Sequence, residues 1–270
     1  MRQGDPDTDG GVSPHLLHVP ILVATDGQES SAGALRLAKR LADLHHHDVE
    51  LVTAGDRSSS RRVNSLLDDL FTAPPIWAHT ILPGDLATAL GRVSGERRAA
   101  LVLVGASSAR RAALDVVTSV LTAVLSVPAD VIDLPHKVLM ALDFSQSSVR
   151  AAQAALGVIA RPARAFMVSV RPLRSGGEDL VPHEELLFDA VETTVVPPPD
   201  VTTSRHRVAG EVPTSILQLA ATHRVDLISI GRRGLSTTQL KHPPIGSAAR
   251  AILSTAPCTV LVGASSGSLH

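Results

Sequence analysis

Gly231-Arg232-Arg233-Gly234 is followed, after eleven intervening residues (235–245), by Gly246-Ser247. Glycines let the backbone approach a ligand closely and adopt φ > 0. A helix start offers free N–H groups to an anion. The chemistry that suits this pattern is the holding of phosphate. The loop comes directly after the apolar run Asp226-Leu227-Ile228-Ser229-Ile230 and before Ala248-Ala249-Arg250-Ala251-Ile252-Leu253, which reads as a helix. A strand, a glycine loop and a helix with Gly-Ser in its first turn point to nucleotide binding.

The elements that position this loop occur twice. Ile21-Leu22-Val23-Ala24-Thr25-Asp26 and Val138-Leu139-Met140-Ala141-Leu142-Asp143 are apolar strands ending in Asp, each leading into an Ala-rich helix. Ser30 and Ser147 are read as the N-caps of those helices. Gly84-Asp85-Leu86 and Gly210-Glu211-Val212 open a later helix in each copy, and each leads to a strand ending at Gly105 or Gly231, 21 residues on. Val127-Pro128-Ala129-Asp130-Val131-Ile132 is aligned with Ala256-Pro257-Cys258-Thr259-Val260-Leu261 as a closing strand. The chain therefore reads as two tandem copies, 18–135 and 136–264, behind a disordered tail, 1–17. Strands are predicted at 21–24, 49–53, 76–82, 101–104 and 131–134, then at 138–142, 165–170, 201–208, 227–230 and 259–262. Alternating short strands and helices imply a parallel sheet covered on both faces. Ligands bind such sheets at the carboxyl ends of the strands, where strand order reverses. Asp143 and Gly231 end the first and fourth strands of their copy and would share that crevice.

Composition bounds the rest. Of 270 residues, 44% are hydrophobic, 19% charged and only 2% aromatic. The core must be Val, Leu, Ile and Ala, as buried parallel strands require. Few aromatic platforms and a net charge of −1 argue against nucleic acid and anionic membranes as partners. No apolar run reaches the length of a membrane span, about 18 residues, and the polar N-terminus has no signal-peptide pattern. The single cysteine, Cys258, excludes an internal disulfide and fits a reducing cytoplasm.

On the strand ending in Asp, the Gly-x-x-Gly…Gly-Ser loop and the closing Ala-Pro-Cys-x-Val-Leu-Val segment, the chain from about residue 18 to 264 resembles a tandem universal stress protein. The resemblance implies an α/β fold of two tandem Rossmann-like (adenine nucleotide alpha hydrolase-like) domains, each a five-stranded parallel sheet flanked by helices. It implies ATP, taken with Mg²⁺, as the ligand. Asp143 would contact the ribose. Ala141 and Val170 would border the adenine. Gly231, Gly234, Gly246 and Ser247 would hold the phosphates, with Ser247 also reaching a metal. Arg232 and Arg233 would add charge there, an inference from their position rather than from the family pattern. The family spacing between glycine pairs is nine residues; here it is eleven and includes His242-Pro243-Pro244, which remove two N–H donors.

The first copy keeps a nine-residue spacing, from Gly105-Ala106-Ser107-Ser108 to Thr118-Ser119, but replaces glycines by Ser108 and Thr118. It is expected to bind nucleotide weakly or not at all and to serve as a structural partner. The copies would pair through their last strands as an intramolecular pseudo-dimer, with a further homodimer and an unknown protein partner left open. The expected function is a non-enzymatic, cytoplasmic, ATP-binding stress-response protein. The alternatives are a nucleotide-free scaffold and a slow ATP hydrolase. No catalytic motif is present. His45-His46-His47 is read as a solvated helix end rather than a metal site, because consecutive side chains diverge. Glu178-Asp179 and Glu184-Glu185, in a stretch running to Glu192, are read as the polar face of a helix.

Overall fold

A computed structural model describes residues 19–106, 111–171, 181–234 and 245–265. The readings made for the N-terminal tail, for Ser107-Ser108, for Glu178-Asp179 and for the His242-Pro243-Pro244 insertion lie outside these residues.

The first half runs β1 (Ile21–Ala24), α1 (Ala32–His45), β2 (Val49–Ala54), α2 (Arg57–Leu70), β3 (Ala78–Leu82), α3 (Leu86–Glu96), β4 (Leu101–Ala106), α4 (Arg111–Ser119), β5 (Ala123–Pro128). The second runs β6 (Lys137–Leu142), α5 (Gln146–Leu156), β7 (Ala163–Arg171), α6 (Val181–Thr194), β8 (Val201–Ala209), α7 (Val212–His223), β9 (Leu227–Ile230), α8 (Ser247–Thr255), β10 (Thr259–Val262). The strands form one ten-stranded sheet in the order β3-β2-β1-β4-β5-β10-β9-β6-β7-β8. All neighbours are parallel except β5 and β10, which pair antiparallel with Leu125 opposite Leu261. The sheet thus joins the two halves through their last strands.

The side chains alternate between two cores. One face buries Val23, Leu103, Leu125, Met140 and Leu261 against α1, α2, α5 and α6. The other buries Leu22, Val102, Val124, Leu139 and Val260 against α3, α4, α7 and α8. Each core runs unbroken through both halves. Near-continuous Val, Leu and Ile runs form these strands because both of their faces are covered.

The helix starts are set by single side chains. Asp85 and Glu211 cap α3 and α7, accepting from Thr88 N at 2.9 Å and Thr214 N at 2.8 Å. The caps of α1 and α5 differ from the sequence reading. Ser31, preceded by one 3-10 turn, stands at the start of α1 without a side-chain cap. Ser145, not Ser147, caps α5, accepting from Ser148 N at 3.2 Å.

The last strand of the first half is also displaced, to Ala123–Pro128 rather than 131–134. The proline in Val127-Pro128 resembled the turn before β10, but here it ends the strand. The sheet register pairs Leu101 with Ala123 and Leu227 with Thr259, which makes Ala123 the counterpart of Thr259. By the same register α4 matches α8, so Thr118-Ser119 lies at the end of a helix and is no counterpart of Gly246-Ser247. From Gly105 to α4 there are five residues (106–110), against fifteen (232–246) from Gly231 to α8. The nine-residue spacing in the first half was a coincidence of helix sequence.

His46 ends α1 in a left-handed conformation. His45 Nε2 lies 3.0 Å from Gly157 O, so the triplet touches the other half rather than only solvent. Among the described residues no group of three or more His, Cys, Asp or Glu is placed to hold a metal. The acidic face of α6 is paired: Glu185, Asp189 and Glu192 all bond Arg205 of β8.

Two predictions follow from this packing. Trp77, packed on the first-half side of the core, reports on the first half alone. Because the core is continuous, Leu261→Ala in the second half is expected to destabilise the Trp77 fluorescence transition in urea by about 2–5 kcal/mol. An unmoved transition would show that the halves unfold separately. The second concerns pH. Burial lowers the pKa of His47, with His45 adding to it, of His79, and of His206, with His223 adding to it. The folded state therefore favours neutral imidazoles, and the unfolded chain binds more protons below the ordinary value of about 6.5. Stability is expected to be full above that pH and to fall as pH drops through it toward the lowered folded values. Thermal melts from pH 7.5 to 5 check this, and His79→Gln should flatten the profile.

Candidate functional site

A cavity of about 610 Å³ opens at the carboxyl ends of β6, β7 and β9, within the ordinary size range for small-molecule sites. β6 and β9 are neighbours, so Asp143 and Gly231 share one crevice. Its apolar lining is Ala141, Val168, Val170, Val212, Ile216 and Ile230. The rest includes Asp143, the Gly231–Gly234 turn, Gly246 and Ser247. All nine residues singled out in the sequence line this one cavity.

Gly231 is required by packing. A Cβ there would lie 2.8 Å from Ser148 N and 3.0 Å from Ser147 C, in the first turn of α5. Gly105 meets Ser30 backbone in the same way. The glycine shared by both halves therefore serves strand–helix contact, and only the glycines beyond it distinguish the second half. Gly234 faces Asp143 directly; a Cβ would sit 2.8 Å from Oδ2.

Asp143 is aimed by its neighbours. Its Oδ1 accepts from Ser145 N at 3.0 Å and from Ser145 Oγ at 2.6 Å. Between them Phe144 takes a left-handed φ of 62°, where the register places Gly27 in the first half at φ 75°. Phe144 packs edge-on against Phe188 of α6, ring centroids 5.1 Å apart.

Gly246 stands at the N-cap of α8 and supplies no side-chain acceptor to its first N–H groups. Ser247, Ala248 and Ala249 line the cavity, so that turn presents its first N–H groups and its positive dipole end to it. Gly246 N donates to Arg232 O at 2.9 Å, which ties the two glycine segments together.

The arginines part company. Arg233 is half-buried at the cavity, and no described carboxylate lies within ion-pair distance of it. Arg232 is only 3% exposed, and its guanidinium turns away to bond backbone carbonyls of Gly263, Val117, Val120 and Thr122. It adds no side-chain charge at the glycine loop, contrary to the sequence expectation. No sequence signal indicated this, because three of its four acceptors lie more than a hundred residues away. Ser145 was legible in principle, since an Asp-x-Ser followed by a helix is a local side-chain-to-backbone pattern.

Residues 135–263 match the universal stress protein family. Among solved structures, a universal stress protein from Archaeoglobus fulgidus is similar at 16% identity and a TM-score of 0.64, with 91% of this chain and 98% of that one covered. A universal stress protein from Pseudomonas aeruginosa is similar at 15% identity and 0.62, covering 92% of each. The cytoplasmic domain of a prokaryotic cation chloride cotransporter also shares the fold, at 11% identity and 0.50, covering 93% and 96%. No curated protein matches the chain. Likeness at these identities shows the fold; a ligand has to be argued from the site.

The packing separates the roles of two glycines. Gly231→Ala is expected to cost about 1–3 kcal/mol, as overpacking against backbone does. Gly246→Ala, whose nearest contacts would be at 3.4 and 3.6 Å and whose φ of −62° suits alanine, is expected to stay within about 1 kcal/mol. Urea denaturation of both variants checks the difference.

Proposed function

We propose, from the premise that residues 135–263 belong to the universal stress protein family and that the chain as a whole has its fold, that the second half binds one ATP with Mg²⁺. The observation that carries the reading is the mixed lining of a single cavity: apolar side chains from β6, β7, β9 and α7 beside the glycine turn and the start of α8. The adenine would lie beside Ala141 and Val170. The ribose would meet Asp143. The phosphates would lie on Gly231, Gly234, Gly246 and Ser247, with Arg233 supplying charge and the Ser247 hydroxyl within the chain's own reach of the metal.

The first half would act as a partner rather than a second site. Its β4–α4 connection has no room for an equivalent loop. The role is read as regulatory binding rather than catalysis, because Asp143 is the one carboxylate among the described lining residues and its Oδ1 already holds Ser145. No helix among the described residues is long and apolar enough to cross a membrane. A stress-response protein acting in the cytoplasm, with a protein partner still to be identified, is the corresponding cellular reading.

Calorimetric titration with ATP and Mg²⁺, after removal of any co-purified nucleotide, is expected to give about one site per chain. Gly246→Val, with its branched side chain at the cradle, should abolish the heat while the protein stays folded by circular dichroism. Two equal sites would overturn the assignment of the first half. No heat, with no nucleotide released on denaturation, would replace the reading by a nucleotide-free scaffold.

A further inference from the structure

Arg232 belongs to the glycine loop by sequence and to the interface between the halves by its side chain. Its Nη1 donates to Val117 O and Val120 O, both at 2.6 Å. Its Nη2 donates to Thr122 O at 3.0 Å, and its Nε to Gly263 O at 3.2 Å. Val117 lies in the last turn of α4, and Val120 and Thr122 lead from it into β5. The charge is met by carbonyl dipoles at the negative end of a helix, and none of these four acceptors is a carboxylate. Burial, and then Arg233, pull the pKa of Arg232 down to about 10, which still leaves it a cation at neutral pH.

The backbone of the same residue holds the ligand loop. Arg232 N–H donates to Ser147 Oγ at 2.8 Å, at the start of α5. Its carbonyl accepts from Gly246 N–H at 2.9 Å, at the start of α8. One residue thus fixes the distance between the two glycine segments and is itself clamped by the first half. Its counterpart in the first half, by sheet register, is Ala106, whose methyl can make no such bonds. The linkage runs in one direction only: a second-half loop held by first-half carbonyls.

We propose that Arg232 is a positioning residue that couples occupancy of the second-half cavity to the first-half segment 117–122. This rests on the ligand reading above. A loop that tightens around a ligand also tightens the segment that holds Arg232, and by linkage a partner that orders that segment raises the affinity of the site. The first half is then a working part of the site and the route by which occupancy reaches the interface.

The test uses the full chain, Mg²⁺ and ATP, with calorimetry and amide hydrogen exchange read by mass spectrometry on wild type, Arg232→Met and Arg232→Lys. In wild type, ATP is expected to slow exchange across residues 117–123, none of which lines the cavity. Arg232→Met should weaken binding about tenfold or more and abolish that distant protection. Arg232→Lys should fall between, since an ammonium cannot reproduce the planar fork. Wild-type affinity in Arg232→Met, or ATP-bound wild type with unchanged exchange at 117–123, overturns the coupling alone. Wild type that binds no ATP overturns the ligand reading and the coupling with it. Should Arg232→Met lose cooperative unfolding, the wild-type exchange result decides.

Discussion

The structure depends on the antiparallel pairing of β5 with β10. A parallel five-stranded unit ends in a strand with unpaired backbone donors and acceptors on one side, and a bare edge of that kind invites association. Here each half closes the other's edge. Val124, Leu125 and Ser126 face Val262, Leu261 and Val260, and all six are fully buried. The two cores become continuous, and neither half has a complete interior alone. The edges that remain are β3 and β8, and β8 buries only Val201, leaves its other residues half-buried or exposed, and presents Arg205 and Arg207 to the acids of α6. Charge on an edge strand is a common means of keeping it unpaired.

That seam also decides where the glycine loop lies. β9 is next to β10, and β10 next to β5. The connection from β9 to α8 therefore emerges beside α4 of the other half, and α4 and α8 pack together. A buried arginine in that connection finds helix-end carbonyls within reach, and burial makes each of those bonds matter more than it would in water. The same frame in the first half has five residues between Gly105 and α4, and an alanine at the equivalent position. The frame repeats and the chemistry does not: the strand-end glycine that packs against a helix is present in both halves, and the additional glycines are present in one.

How much of this could be read from sequence follows from the range of the forces involved. Strands such as Leu227–Ile230 and Thr259–Val262 were placed correctly because apolar runs bounded by turns are local signals. The helix starts at Gly84-Asp85-Leu86 and Gly210-Glu211-Val212 were found for the same reason. All nine candidate site residues come together because strand order brings β6 beside β9, which a tandem α/β reading already implied. The failures were of two kinds. Val127-Pro128 was aligned on composition, where only hydrogen-bond register separates a proline that ends a strand from one that precedes it. Arg232 was given to the phosphates because it stands beside glycines. Its position is set by carbonyls from a part of the chain that no local pattern connects to it.

The turn between Asp143 and α5 shows how the second half fixes its acidic group. A left-handed residue with a side chain is uncommon, since its Cβ crowds the backbone, and glycine is the usual occupant. The first half has Gly27 there, and the second has Phe144. Contact of Phe144 with Phe188 offsets the strain, and such ring pairs contribute about 0.5–1.5 kcal/mol beyond their buried area. Phe188 is in turn fully buried and carries Arg205 over its ring at 5.7 Å. A glycine turn samples many conformations; a phenylalanine locked between α6 and β6 samples few. Asp143 is held on one side by that turn and on the other by Ser145, so its carboxylate keeps one direction before any ligand arrives. For the ligand proposed above, ordering it on binding would then cost little entropy, which would favour affinity at a site whose remaining contacts would be mostly backbone.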